Sequence, residues 1–253
     1  MIIILLFITI IIANVFVVFK FFSRISAVDT KKWAYTDVIY QIVELIPRSI
    51  SLLIIPISVY FSEEILMKNI ELPSMLLSYS ILFECLGLII GLILVPNFIF
   101  SLNHIILLEK KKSPIIEFIK FYFNVLFLKE RKPIQILNYI KISDRKLFWV
   151  NIFTGFFLSI IIPLFVLLSM HFINHRGTLI SLIPVFIGII YVMFTYYVLK
   201  PVGNLTDLAY DAKIEIEEFK NILKDCILGK ILGALLAFFS IIPILKILVK
   251  FSQ

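Results

Sequence analysis

The sequence predicts an all-α fold, a polytopic membrane helical bundle of six transmembrane helices with cytoplasmic interfacial helices, and three observations carry that prediction. Of the 253 residues, 61% are hydrophobic and only 16% charged, with a mean hydropathy of +1.05; a soluble domain holds roughly 45–50% apolar and about 25% charged residues. Six windows are apolar over about 20 residues, the length that crosses ~30 Å of hydrocarbon. The basic residues alternate between one set of connections and the other. The chain reads as a single membrane domain, 1–253, with spans near 2–19, 38–61, 75–100, 147–173, 178–199 and 227–248.

The first span is apolar from its second residue and has no basic segment before it, while Lys20 and Arg24 follow it. It therefore reads as an uncleaved span with its N-terminus outside rather than as a signal peptide. The second carries Glu44, Pro47, Arg48 and Pro56, and the third Glu84 and Asn97. Pro163, Pro184 and Pro243 interrupt the later spans. Proline within a span frees a backbone carbonyl and kinks the helix, which is tolerated where neighbours or cavity water satisfy it. Gly and Ala are scarce, so most helices should meet through large side chains, with a close approach near 229–237.

Orientation follows from the retention of Lys and Arg on the cytoplasmic side. The connection 20–37 holds Lys20, Arg24, Lys31 and Lys32, whereas the next holds only Lys68. Connection 101–146 is densely basic from Lys110 to Lys146, and the one after it holds only Arg176. The fifth holds Lys200, Lys213, Lys220, Lys224 and Lys230. Both termini then face outward, and most of the +7 net charge lies against the anionic cytoplasmic leaflet.

Two cytoplasmic connections are too long for plain loops. In 115–128, Glu117, Lys120 and Asn124 form one narrow polar stripe, the pattern of an interfacial helix; Pro133 ends it and a similar piece, 134–142, follows. In 206–224, Asp207, Asp211, Glu215 and Glu218 recur at helical spacing and predict an acidic stripe, read either as a solvated face or as a gate for the basic connection.

Catalytic signatures are missing: there is no G-x-S-x-G, H-E-x-x-H, Walker or dinucleotide fingerprint. Glu63 and Glu64 pair two carboxylates near the outer surface without the arginine that intramembrane prenyl-protein-type proteases use. His171 and His175 stand i,i+4, yet a metal site needs at least three protein ligands. Cys85 and Cys226 lie at different membrane depths, which argues against a disulfide. The expectation is a non-enzyme with no cofactor, no metal and no nucleic-acid partner.

The residue that asks most for an explanation is Arg48, near the middle of the second span with Glu44 one turn earlier. A cation at the bilayer centre costs about 2.5–3.5 kcal/mol on insertion scales, so it faces protein or a water-filled cavity. Glu44 and Arg48 form either a structural ion pair or part of a polar path used by something anionic. Glu84 of the next span reaches a similar depth, which makes Glu44, Arg48 and Glu84 candidates for one cluster.

Several stretches resemble the Amj lipid II flippases, the alternate to the MurJ type. They are RISAVDTKKWA at 24–34, the Arg48–Ser49 step followed by Pro56, Pro96 and Phe98 with the later SPII, KPVGNLTD at 200–207, and GKILGALLAFFSIIP at 229–243. Lys200 stands where an acidic residue is expected. The resemblance implies a flippase moving undecaprenyl-pyrophosphate-linked peptidoglycan precursor from the cytoplasmic to the outer leaflet of the bacterial cytoplasmic (inner) membrane, with lipid II and membrane lipids as partners. On that reading Arg48 binds the pyrophosphate, Glu44 and Glu84 hold or compete for it, and Lys20, Arg24, Lys31 and Lys230 attract the headgroup at the cytoplasmic rim. Asp207 tunes the cytoplasmic gate. Six spans are few for so large a headgroup, which leaves room for a homodimer with a shared cavity. The competing readings are a non-catalytic membrane module regulating cell-envelope or bacteriocin machinery, and an intramembrane enzyme acting on prenyl phosphates.

Overall fold

The computed structural model describes residues 2–66, 71–107 and 144–251. The segments 115–128 and 134–142 lie outside the described residues, as do the side chains of Arg48, Glu63 and Glu64. What remains is entirely helical: α1 (Ile2–Thr30), α2 (Trp33–Leu66), α3 (Glu71–Leu107), α4 (Arg145–His171), α5 (Arg176–Phe194), α6 (Lys200–Tyr210) and α7 (Ile216–Phe251). Five stretches of the described residues are long and apolar enough to cross a membrane: Ile4–Thr30, Leu77–His104, Arg145–His171, Ile173–Tyr210 and Ile216–Leu248. At 34 residues, α2 is about 50 Å long and completes a six-helix polytopic bundle.

The helices run well past the predicted spans. The whole of 20–30 is the last part of α1, so the connection to α2 shrinks to Lys31 and Lys32. Helical hydrogen bonding needs no apolar side chains, and a window tuned to hydrocarbon thickness stops at the first charges. The segment 200–210 is likewise helical, joined to α5 through a single π-turn at Thr195–Leu199. Pro201 explains that turn: its ring would crowd the carbonyl four residues back and it has no N–H to offer, and a wider turn relieves both problems.

The acidic stripe is not one helical face. α6 ends at Tyr210, Asp211 caps it, and Ala212 sits in the left-handed region at φ 57°. Lys213 N donates to Leu208 O at 2.8 Å and Ala212 N to Ala209 O at 3.1 Å, a Schellman-type stop. Sequence gave no warning, since glycine usually holds this position and alanine does so here. His171 and His175 also part company: the first ends α4 and the second closes a 3-10 turn, Ile173–His175.

Two close helix pairs form the frame. On α3, Gly87 and Gly91 admit α1 so tightly that a Cβ at Gly87 would lie 2.6 Å from the Ile11 carbonyl oxygen. On α7, Gly229 and Gly233 do the same for α4, where a Cβ at Gly229 would lie 2.6 Å from Phe148 O. Small residues at i,i+4 let backbones meet where lipid supplies no hydrophobic drive. α3 packs on α7 to join the pairs; α2 lies along α1, and α5 along α4. Among the described residues the backbones of α2 and α5 do not approach one another closely. Both present apolar side chains outward, Leu45 at 58% exposure and Val192 at 70%, as lipid-facing helices do.

Candidate functional site

The ends of α1, α3 and α6 and the starts of α2 and α7 gather at one end of the bundle. There Lys32 Nζ donates to Ile106 O at 3.1 Å and Asn103 Nδ2 to Asp29 Oδ2 at 3.2 Å. Lys31 and Ala212 are the two non-glycine residues at positive φ among the described residues, and their turns meet. Lys31 Nζ donates to Tyr210 O, Tyr210 OH returns a bond to Lys31 O at 3.2 Å, and the Lys31 ammonium stands 4.4 Å from the Tyr210 ring centre. Trp33 meets the same ring edge-on.

Further into the bundle, Arg24 of α1 reaches Thr206 of α6, Nη1 to Oγ1 at 3.3 Å, and its guanidinium lies 5.0 Å from the centre of the Tyr40 ring on α2. One turn deeper, Lys20 donates to Glu44 of α2 at 2.6 Å, with only 8% and 17% of the two side chains exposed. Lys20 also lies 5.4 Å from the Tyr40 ring. These layers tie α1 to α2 and α6 and close that end.

Beyond them, toward the N-terminus of α1, is a half-open cleft with a cavity volume of about 130 Å³. It is walled by all the long helices. α2 supplies Pro47 and Ile54, and α5 supplies Ile187 and Tyr191. α2 and α5 stand on the same cleft without a close backbone approach to one another among the described residues. On the inner wall Glu84 of α3 faces Lys230 of α7, Oε1 to Nζ 3.9 Å. Lys230 lies 14 residues from one end of α7 and 21 from the other (216, 230, 251), roughly 21 and 32 Å, so it stands well inside the helix. Lys230 also feels the like charge of Lys20. Ser159 of α4 lies beside Glu84 and turns its hydroxyl toward that carboxylate, but makes no hydrogen bond of normal geometry among the described residues. Pro163 lines the same wall and has no N–H to give the Ser159 carbonyl.

The predicted site residues thus divide. Glu44 and Glu84 do not share one cluster; each takes a lysine from another helix. Lys20 and Lys230 are inside the bundle rather than on a cytoplasmic rim, because α1 and α7 extend beyond them as helix. Arg24 holds the closed end together. Asp207 is exposed on α6 and lines neither this cleft nor the small pocket beside Arg24. The Arg48 side chain lies outside the described residues. Tyr40 and Ser159 were not singled out by sequence, and neither carries a signal there: an aromatic and a serine within apolar runs look ordinary until a neighbouring helix supplies the charge. Cys85 and Cys226 are both buried and free. Among the described residues no cluster of His, Cys, Asp and Glu could hold a metal ion.

A family model described as "Amj: Alternate to MurJ" matches residues 6–252. The chain belongs to the Amj family. No curated protein and no solved structure matches it. Amj proteins are lipid II flippases, transporters rather than enzymes, and multi-pass proteins of the inner membrane. Membership over nearly the whole chain decides for transport of the lipid-linked precursor and gives no support to the regulatory reading. For an Amj protein a charged wall inside a half-open cleft is physically apt, because lipid II joins a charged, hydrated headgroup to a tail that never needs to leave lipid.

Proposed function

We propose that this lipid II flippase carries the headgroup through the cleft between α2 and α5, with the polyprenyl tail remaining in the bilayer at its mouth. One observation supports the reading: a charged pair, Glu84 and Lys230, stands on the wall of a half-open cavity within the bundle. An ammonium at the bilayer centre is costly and needs a polar environment. A pyrophosphate crossing ~30 Å of hydrocarbon needs the same environment.

The orientation belongs to the proposal as well. Basic residues in the connections put the layered end, with Lys31, Lys32, Arg24 and Lys20, toward the cytoplasm and both termini outside. The cleft then opens to the outer half, and the described conformation is the one that releases headgroup outward. Loading from the cytoplasm requires the Lys20–Glu44, Arg24–Thr206 and Lys31–Tyr210 contacts to part. Arg48 and Asp207 stay in the proposal as second binding and gate positions respectively.

The test is complementation. In a bacterium depleted of its other lipid II flippases, expression of this chain restores growth and lets a membrane-impermeant probe reach lipid II at the outer surface. Confirmed membrane insertion without rescue would count against the transport path.

A further inference from the structure

Ion pairs in the bundle are of two kinds. Lys20 and Glu44 sit at 2.6 Å, a full charge-assisted hydrogen bond. Lys230 and Glu84 sit at 3.9 Å, beyond hydrogen-bond reach. An ammonium has three donors to place, and among the described residues Lys230 uses none of them on a hydrogen bond. A carboxylate at this separation offsets the charge but leaves the donors for another acceptor.

Ser159 adds an independent sign. Serine and threonine within helices commonly bond back to a carbonyl three or four residues earlier. On the same helix Thr154 does so to Val150 O at 2.9 Å, and Ser169 to Val166 O at 2.7 Å. Ser159 does not, although it is 3% exposed and its Oγ is buried on the cleft wall beside Glu84. A buried hydroxyl without a well-formed hydrogen bond is unfavourable. Its partner is then expected to be a group that visits the cleft.

We propose that Lys230 and Ser159 form the anion site that takes the diphosphate of the lipid substrate, and that Glu84 is the internal counter-ion which the diphosphate displaces. This rests on the flippase reading and deepens it. Glu84 keeps Lys230 neutralised while the cleft is empty and pushes the anion off again when the headgroup moves on. Net affinity is therefore a competition, as suits a carrier that must release what it binds.

The experiment uses the full chain in lipid nanodiscs with geranylgeranyl diphosphate as probe, and geranylgeraniol and inorganic diphosphate as controls. The prenyl diphosphate should bind at least about tenfold more tightly than either control, since the site needs the charge and the mouth needs the tail. Ser159→Ala should weaken binding about three- to tenfold, the worth of one hydrogen bond to a charged group. Lys230→Met should weaken it more than about tenfold, and Lys230→Arg should retain most of it. Glu84→Gln is the decisive variant: with the competitor gone it should bind more tightly, by at least about threefold, and release more slowly. A carboxylate that only props up the fold would show unchanged or weaker binding on that change, and either outcome overturns the proposal. Equal binding of inorganic diphosphate would overturn the lipid as its source. Should Lys230→Met fail to fold, Ser159→Ala and Glu84→Gln still decide. Transfer of lipid II in proteoliposomes is measured beside binding. Transfer with binding indifferent to these residues removes the anion site alone, whereas the predicted binding pattern without transfer counts against the flippase reading.

Discussion

Breaking the Lys20–Glu44 pair should cost more stability than any other single change at the closed end. The two groups meet at 2.6 Å with 8% and 17% of their side chains exposed. At an effective dielectric near 20, two unit charges at that distance attract by about 6 kcal/mol, from which desolvation and side-chain ordering must be subtracted. Removing one partner of such a buried pair is strongly destabilising, at about 3–5 kcal/mol. Partial access to the cleft and the Tyr40 ring beside Lys20 soften this, so Lys20→Met and Glu44→Leu should each destabilise by about 3 kcal/mol. The double variant removes both charges and should lose no more than either single one, a coupling of about 2 kcal/mol or more. The assay is reversible unfolding of the full-length protein in mixed micelles, with all four proteins measured side by side. Single costs below about 0.5 kcal/mol, or a double variant that loses the sum of the two, would refute the reasoning, because each group would then be independently hydrated.

Three further outcomes follow from the same geometry. Gly233→Leu should destabilise the α4–α7 pair by at least about 1–3 kcal/mol, seen as a lower thermal midpoint, because its Cβ would meet the Ile152 carbonyl and the Phe156 backbone. Arg24→Ala should lower lipid II transfer several-fold and loosen the closed end to proteolysis, while Arg24→Lys should recover only part, since a lysine cannot both stack on Tyr40 and reach Thr206. A cysteine placed at Asp211, an exposed position in the turn after α6, should react with an impermeant thiol reagent only after the cells are opened. Labelling in intact cells would reverse the orientation.

The bundle was legible because the hydrocarbon core imposes a length and a composition that single windows report, and because glycines at 229 and 233 stand out in a chain poor in them. Helix ends were not legible. Lys20, Arg24 and Lys200 look like the close of a span, yet each continues a helix whose backbone bonds do not depend on side-chain polarity. The stop at Ala212 had no glycine to announce it. In the site, sequence identified the charged residues but paired them by depth along neighbouring spans. Among the described residues Glu44 meets Lys20 of the preceding helix, α1, and Glu84 meets Lys230 of α7, a helix distant in sequence whose approach to α3 no local pattern announces.

The most direct test of the path is to fill it. Ser80 lines the cleft on α3, one helical turn before Glu84 and away from the glycine contacts. Purified protein in liposomes should move lipid II from one leaflet to the other, and Ser80→Trp should reduce that transfer at least tenfold while leaving the thermal midpoint within a few degrees. Transfer at the unaltered rate in a folded Ser80→Trp variant would contradict the account, because the headgroup would then cross somewhere other than this cleft.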